Sequence, residues 1–342
     1  MSMSDTITKP VHQASKTIRG KYQNTIDTRM DMSPAKMFSV LWRMVRGVED
    51  RAPKHLLPNV AFDAARFNAD TQETLISWFG HSSLLVKFAG KNILFDPVFN
   101  PRASMFSFAG PKNFGYAHPM HVSKLPRIDM VVLSHDHYDH LDRGVIMDIH
   151  ASVPQFYVPL GVGARLVKWG VDPAKVKEFD WWQKTDVGGL FELVCTPSRH
   201  FSGRGITDRN TTLWCSWVFI GREERFYFSG DSGYSPEFKT IGDTYGPFDF
   251  AFIECGQYNR DWEAIHMMPE QSVQAALDVR TALAIPIHWG KFALALHGWK
   301  EPVQRFIGEA EKRGLPYFFP QIGDAYAAKN ITNVPPAWWS VL

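Results

Sequence analysis

Cysteine is scarce: Cys195, Cys215 and Cys255 are the only three among 342 residues. An odd number, scattered through strand-like segments, argues against a disulfide framework and fits reduced thiols in a core. Excess charge of one sign is lacking too, since 37 Lys and Arg stand against 35 Asp and Glu, a formal net charge of +2. Without a basic field or a Lys/Arg stripe, nucleic acid is not an expected partner. No apolar run reaches the length of a membrane span, and Met1 to Lys16 lacks the apolar stretch of a secretory signal. These absences predict a cytoplasmic protein, at most peripheral at a membrane surface. Neither an internal repeat nor a Gly/Ser or Pro-rich linker divides the body of the chain, so a single α/β domain is expected over residues 71–342.

What is present supports a large core, with 45% hydrophobic and 14% aromatic residues. Residues 1–70 read as an N-terminal extension packed on that domain. Within it, Met37 to Arg46 has the pattern of a short amphipathic helix with two arginines on its polar side, an arm on the main domain or a membrane-seeking element. From Leu75 the apolar runs become regular. Leu75 to Phe79, Leu84 to Phe88 and Ile93 to Asp96 predict strands, with Ala89 to Asn92 as a hairpin turn. Further strands are expected at Phe156 to Pro159, Phe191 to Cys195, Leu213 to Ile220, Phe226 to Phe228, Phe250 to Glu254, Leu283 to Ile287 and Tyr317 to Phe319. Helices are expected around Val145 to Ile149, Gly161 to Trp169, Pro236 to Thr244, Pro269 to Arg280 and Pro302 to Arg313.

The densest chemical signal is Ser134-His135-Asp136-His137-Tyr138-Asp139-His140-Leu141-Asp142, directly after the apolar run Met130 to Leu133. His135 and His137 are two apart, so on an extended backbone both leave from one face and can converge on one ion. Asp139 and His140 follow where the chain should turn into a helix, aimed at a neighbouring point. Imidazole and carboxylate donors suit zinc, with manganese or iron able to take the same ligands, and two adjacent cations fit the motif. More donors are expected at strand ends: His200 after Cys195 to Arg199, Asp231 between Gly230 and Gly233, and His288 after Ala284 to Ile287. Asp136 and Asp142 each read equally well as a residue orienting a histidine or as a cap of the following helix.

These residues, with Trp78 to His81, Phe95 to Phe99, Gly110 to Lys112, Val158 to Gly161, Asp180 to Trp182, Gly230 to Tyr234 and Ile287 to Gly290, resemble the metallo-β-lactamase superfamily. Within it, the similarity over residues 75 to 325 is to the branch of N-acyl-phosphatidylethanolamine-hydrolysing phospholipase D. The resemblance implies an αβ/βα sandwich, two mixed sheets flanked by helices, with two zinc ions at the sheets' edge. It implies that His135, His137 and His200 hold one ion and Asp139, His140 and His288 the other, with Asp231 bridging. It also implies that His266 contacts substrate phosphate or protonates the leaving oxygen, so that Asp139 and His266 bear most directly on catalysis. Ile265 stands where that branch has glutamine, which changes the polar side of the substrate pocket. His81 and Asp96, at strand ends leading to the cluster, are expected to orient ligands from behind.

The implied reaction is hydrolysis of a lipid-like phosphodiester by a hydroxide whose pKa the cations bring to about 7. A lactonase or esterase would use the same hydroxide, and an oxidoreductase would use iron at the same ligands. Phe106, Phe108, Trp181 and Trp182 could line a lipid groove or pack in the core. Peripheral membrane contact and a homo-oligomer are compatible with all of these.

Overall fold

The computed structural model describes residues 12–28, 33–47, 49–105, 108–331 and 337–340. Strands β1 (Lys16–Ile18) and β2 (Lys21–Gln23) form a small hairpin, followed by helices α1 (Pro34–Arg46) and α2 (Ala64–Asn68). The body then runs β3 (Leu75–Trp78), β4 (Leu84–Phe88), β5 (Lys91–Phe95), β6 (Met130–Val132), α3 (Arg143–Ile149), β7 (Gln155–Pro159), α4 (Val162–Lys168) and β8 (Val176–Phe179). Its second half runs β9 (Lys184–Val187), β10 (Phe191–Thr196), β11 (Ser216–Ile220), β12 (Arg225–Phe228), α5 (Glu237–Tyr245), β13 (Phe250–Glu254), α6 (Pro269–Asp278), β14 (Ala284–Ile287), α7 (Glu301–Arg313) and β15 (Ala325–Ala327).

Two mixed sheets result, ordered β15-β3-β4-β5-β6-β7-β8 and β14-β13-β12-β11-β10-β9. In each, antiparallel pairing gives way to parallel pairing, over β5-β6-β7-β8 in the first and β12-β13-β14 in the second. Side chains alternate in β3, β4 and β5. Ile76, Trp78, Val86, Phe88, Ile93 and Phe95 face the other sheet's Trp217, Phe219, Phe226 and Phe228 in one core. Leu75, Leu85 and Leu94 face the opposite way, into a second core closed by Val145, Ile146 and Ile149 of α3 and Leu166 of α4. Both faces are buried, so these strands read as near-continuous apolar runs. Phe238 and Ile241 of α5, Val273 of α6 and Val303 and Phe306 of α7 belong to the first core.

Two expectations need correction. The β4-β5 turn is two residues, since Phe88 pairs with Lys91. Ala89 and Gly90 both take positive φ, 48° and 75°, the combination that matches the twist of a tight hairpin. Tyr317 to Phe319 is not a strand: Pro316 and Pro320 bracket it, and a single bridge, Ala284 to Tyr317, forms. The last strand is β15, antiparallel to β3. Phe106 lies outside the described residues. Among those described, no helix is long and apolar enough to cross a membrane.

Candidate metal centre

The parallel strands of both sheets end at one edge, and the predicted ligands stand there. Asp96 follows β5, His135 to His140 follow β6, Asp231 follows β12 and His288 follows β14. His200 lies four residues beyond β10. Strand ends in an open α/β sheet can aim several side chains into one crevice because the backbone is free to turn there. His81, Asp96 and His288 each hold positive φ, 56°, 36° and 69°. Non-glycine residues in this region carry strain of about 1–3 kcal/mol each and persist only where surroundings enforce it. Here the enforcement is visible: the His81 carbonyl accepts from Trp78 Nε1 at 2.8 Å and from the His288 amide at 2.9 Å, and the His81 amide donates to the Trp289 carbonyl at 2.8 Å. Gly230 lets the β12 loop close on the β6 loop, since a Cβ there would sit 2.7 Å from the Cys215 carbonyl and 2.8 Å from Ser134 Cβ.

Donor atoms of His135, His137 and His200 lie within 4.8 Å of one another, and so do those of His81, Asp139, His140 and His288. The two groups meet at Asp231, whose Oδ2 is 3.0 Å from His140 Nε2, 3.1 Å from His288 Nε2, 3.7 Å from His200 Nε2 and 3.9 Å from His135 Nε2. Outer nitrogens are tied down. His140 Nδ1 donates to Asp96 Oδ2 at 2.7 Å, His200 Nδ1 to the Ile265 carbonyl at 2.9 Å and His288 Nδ1 to the Gly256 carbonyl at 3.2 Å. His135 Nδ1 donates to Ser134 Oγ at 2.9 Å, and that hydroxyl donates to Asp96 Oδ2 at 2.5 Å. With Nδ1–H engaged, each of these rings turns Nε2 inward, the nitrogen that would bind an ion. His140 Nε2, His288 Nε2 and Asp231 Oδ1 are buried without a hydrogen-bond partner. Such atoms cost about 1–3 kcal/mol apiece unless something satisfies them, and divalent cations at the two groups fit the donor set.

The electrostatics agree with that division. Burial holds His135 and His200 well below the ordinary imidazole pKa, and lowers His137 to about 4, so the first group is neutral, its ligating form. Burial also opposes charge on His140 and His288, but Asp231 and Asp139 outweigh it, lifting His140 well above its usual value and His288 to about 10. Conversely, Asp139 and Asp231 stay ionised despite burial because His140 and its neighbours pull them down. The second group is thus built around positive charge.

Asp96 lies behind the cluster, accepting from His140 and from both the amide and hydroxyl of Ser134. His81 Nε2 bonds Asp139 Oδ2 at 2.8 Å and sits inside the second group. Of the two undecided aspartates, Asp142 is a cap, accepting from the Gly144 and Val145 amides of α3 and holding the Phe99 and Asn100 amides. Asp136 accepts from the Gly203 amide and pairs with Arg165 at 2.7 Å, orienting no ligand ring. Ile265 is 5% exposed and meets the site through its carbonyl on His200. Trp181 is core, its Nε1 donating to the Trp214 carbonyl, whereas Phe108 is exposed.

Two supports were not foreseen. Asn24 binds both backbone groups of His200, accepting from its amide at 3.1 Å and donating to its carbonyl at 2.8 Å. Glu254, the last residue of β13, bonds His266 Nδ1 through Oε1. An acid ending the otherwise apolar run Phe-Ala-Phe-Ile was its one sequence signal.

Mixed sheets flanked by helices, with histidine and aspartate donors converging at the strand ends, define a metal-dependent hydrolase. Residues 91–289 match the family described as the Beta-lactamase superfamily domain, and the chain belongs to that superfamily. An uncharacterized protein of Mycobacterium tuberculosis is 39% identical over 322 residues, spanning 91% of this chain and 85% of its own. N-acyl-phosphatidylethanolamine-hydrolyzing phospholipase D 1 of Caenorhabditis elegans is 40% identical over 233 residues, 64% of each chain. Among solved structures, an isothiocyanate hydrolase from Delia radicum gut bacteria superposes with a TM-score of 0.59 at 19% identity, covering 74% of this chain and 98% of its own. Similarity at that identity speaks to the fold alone.

Proposed function

We propose that the protein is a phosphodiesterase of phospholipase D type, acting on lipids like N-acyl-phosphatidylethanolamine with two zinc ions at the centre. The observation that carries this reading is the placement of His266. Its ring stacks on His288 of one donor group, centroids 5.1 Å apart and planes 15° from parallel, and meets His200 of the other edge-on at 5.0 Å. It therefore spans the two groups, where a phosphoryl oxygen shared between them would lie, and among the described residues its Nε2 has no protein partner. The partial similarity to the Caenorhabditis elegans phospholipase supports the same substrate class.

Divalent cations held by His135, His137, His200, Asp139, His140 and His288 would supply Lewis acidity and a water of lowered pKa. The chain's own groups do the rest. Asp231 Oδ2 keeps the donor groups in register, His266 holds a proton at Nε2 for an oxygen of the substrate, and the Ile265 carbonyl fixes the His200 ring. The Ile265 side chain adds apolar shape in place of a polar contact. Phe38, Trp42, Met105 and Phe108 are exposed, and α1, which carries two of them, is pinned by Lys36 and Arg43 to Asp261, five residues before His266. We assign these apolar residues to contact with the lipid surface.

Incubation of the zinc-loaded protein with N-acyl-phosphatidylethanolamine, bis(p-nitrophenyl) phosphate and a simple lactone tests the assignment. Release of phosphatidic acid and acylethanolamine is expected. Lactone cleavage without phosphodiester turnover would replace this reading with a lactonase, and stoichiometric iron with oxygen consumption would replace it with an oxidoreductase.

A further inference from the structure

We infer that Glu254 is a positioning residue for phosphodiester hydrolysis, holding the His266 ring so that an N–H at Nε2 faces the substrate. The inference rests on the phosphodiesterase reading above. Glu254 is fully buried. Its Oε1 bonds His266 Nδ1 and its Oε2 accepts from the Ser232 amide at 2.5 Å. No lysine or arginine bonds or pairs with it among the described residues.

A third ion between Asp231, Glu254, His266 and His288 is the competing use of these atoms. His288 rules it out: its Nδ1, 3.5 Å from Glu254, donates to the Gly256 carbonyl, and its Nε2 is turned to Asp231 and Asp139. Glu254 Oε1 is left with His266 as its side-chain hydrogen-bond partner.

A buried carboxylate hydrogen-bonded to Nδ1 stabilises the imidazolium form of the ring in front of it, so the pair settles in its net-neutral state. That state carries one proton on the Glu254–His266 bond and one on Nε2. Whichever partner holds the shared proton, the other nitrogen presents an N–H outward. A donor fixed there can bond a phosphoryl oxygen and protonate the departing alkoxide as the P–O bond breaks, a hydroxide supplying the new P–O bond. The shared proton is then drawn to Nδ1 as Nε2 gives its own away.

The test compares Glu254→Gln with the wild type in zinc-loaded protein. Loss of a general acid predicts a fall in kcat of about 100-fold on an alkyl phosphodiester, with KM and two zinc ions per chain retained. On bis(p-nitrophenyl) phosphate, whose leaving group needs no proton, the loss should be at least about tenfold smaller, following the same rule for proton transfer. Nitrogen-15 histidine spectra, assigned with His266→Gln, should show a protonated Nε2 on His266 in the wild type and a bare one in Glu254→Gln. His266→Gln should give the same leaving-group contrast, and it serves as the second variant should the buried Glu254→Gln change cost the fold. Equal losses on both diesters, unchanged kinetics, or a bare wild-type Nε2 would each overturn the inference. A wild type inert to every diester would instead sink the phosphodiesterase reading, while the spectrum still reports the Nε2 proton separately.

Discussion

Replacing Asp96 with asparagine should loosen one metal position far more than the other. The Asp96 carboxylate accepts three bonds: His140 Nδ1 at 2.7 Å, the Ser134 amide at 2.8 Å and the Ser134 hydroxyl at 2.5 Å. Asparagine keeps the shape but offers one oxygen and an NH2 group, so at least one of those donors then faces another donor, at a cost of about 1–3 kcal/mol. Alanine would orphan all three and endanger the fold, which makes asparagine the informative change. Loss of the carboxylate behind a ligating histidine typically weakens metal binding 10–100-fold, about 1.4–2.8 kcal/mol. That loss falls on His140 directly, while His135 feels Asp96 only through Ser134. Zinc competition against a chromophoric chelator should therefore show one equivalent weakened by about one to two orders of magnitude, from the same rule, and the second nearly unchanged, in a protein that still melts cooperatively. Two equivalents bound with wild-type affinity would refute the claim that Asp96 orients His140.

Three other outcomes follow from the same geometry. His137→Ala, which removes a donor from a group of three, should abolish phosphodiester turnover in metal-replete protein; full activity would sink the ligand assignment. In chelated protein, His137, lowered to about 4 by burial, binds its proton more readily when unfolded. Stability should then fall by about 1.4 kcal/mol per pH unit as pH drops from about 6.5 toward 4, by linkage. His288, raised to about 10, acts in the opposite sense: its contribution is complete below about 6.5 and fades toward 10. Thermal melts across pH 4–9 should thus peak near 6.5, and a Tm that keeps rising above that value would contradict this assignment. Asn24→Ala removes both bonds to the His200 backbone and should cost about 1–3 kcal/mol in chemical denaturation. A wild-type midpoint would show that residues 12–28 do not brace the site.

Much of this centre is legible in the sequence because its densest part is local. The spacing of His135, His137, Asp139 and His140 after an apolar strand survives folding unchanged, and β3 to β5 stand out because both of their faces are buried. Legibility fails where burial is partial or the contact is long-range. β8 (Val-Lys-Glu-Phe) and β9 (Lys-Thr-Asp-Val) lie at the open edges of the two sheets, where charged residues guard an unpaired backbone and erase the apolar signal. Asn24 reaches His200 across 176 positions, a pairing that no local pattern encodes. Glu254 and His266 are twelve apart, brought together by a loop whose course depends on Gly233 sliding under it, its Cβ position 2.1 Å from the Ala264 carbonyl.

The division of the candidate donors between the sheets has an energetic consequence. His135, His137, Asp139 and His140 follow β6 of the seven-stranded sheet, while His200, Asp231 and His288 follow strands of the six-stranded sheet. Each group therefore draws on both: His200 completes the first, His288 the second, and Asp231 touches the two. An ion at either position would fasten one sheet to the other at the edge where the backbone is strained at His81, Asp96 and His288. Metal binding and folding are then linked, since the donors converge only when the sheets are stacked. Free metal at a hundredfold over its Kd would add about 2.7 kcal/mol to stability for each ion, enough to offset the strain of one or two of those residues. The aromatic core between the sheets can bring the donors near one another, but it leaves His140 Nε2, His288 Nε2 and Asp231 Oδ1 buried and unsatisfied. Those three atoms are the ones that would give the ions their hold.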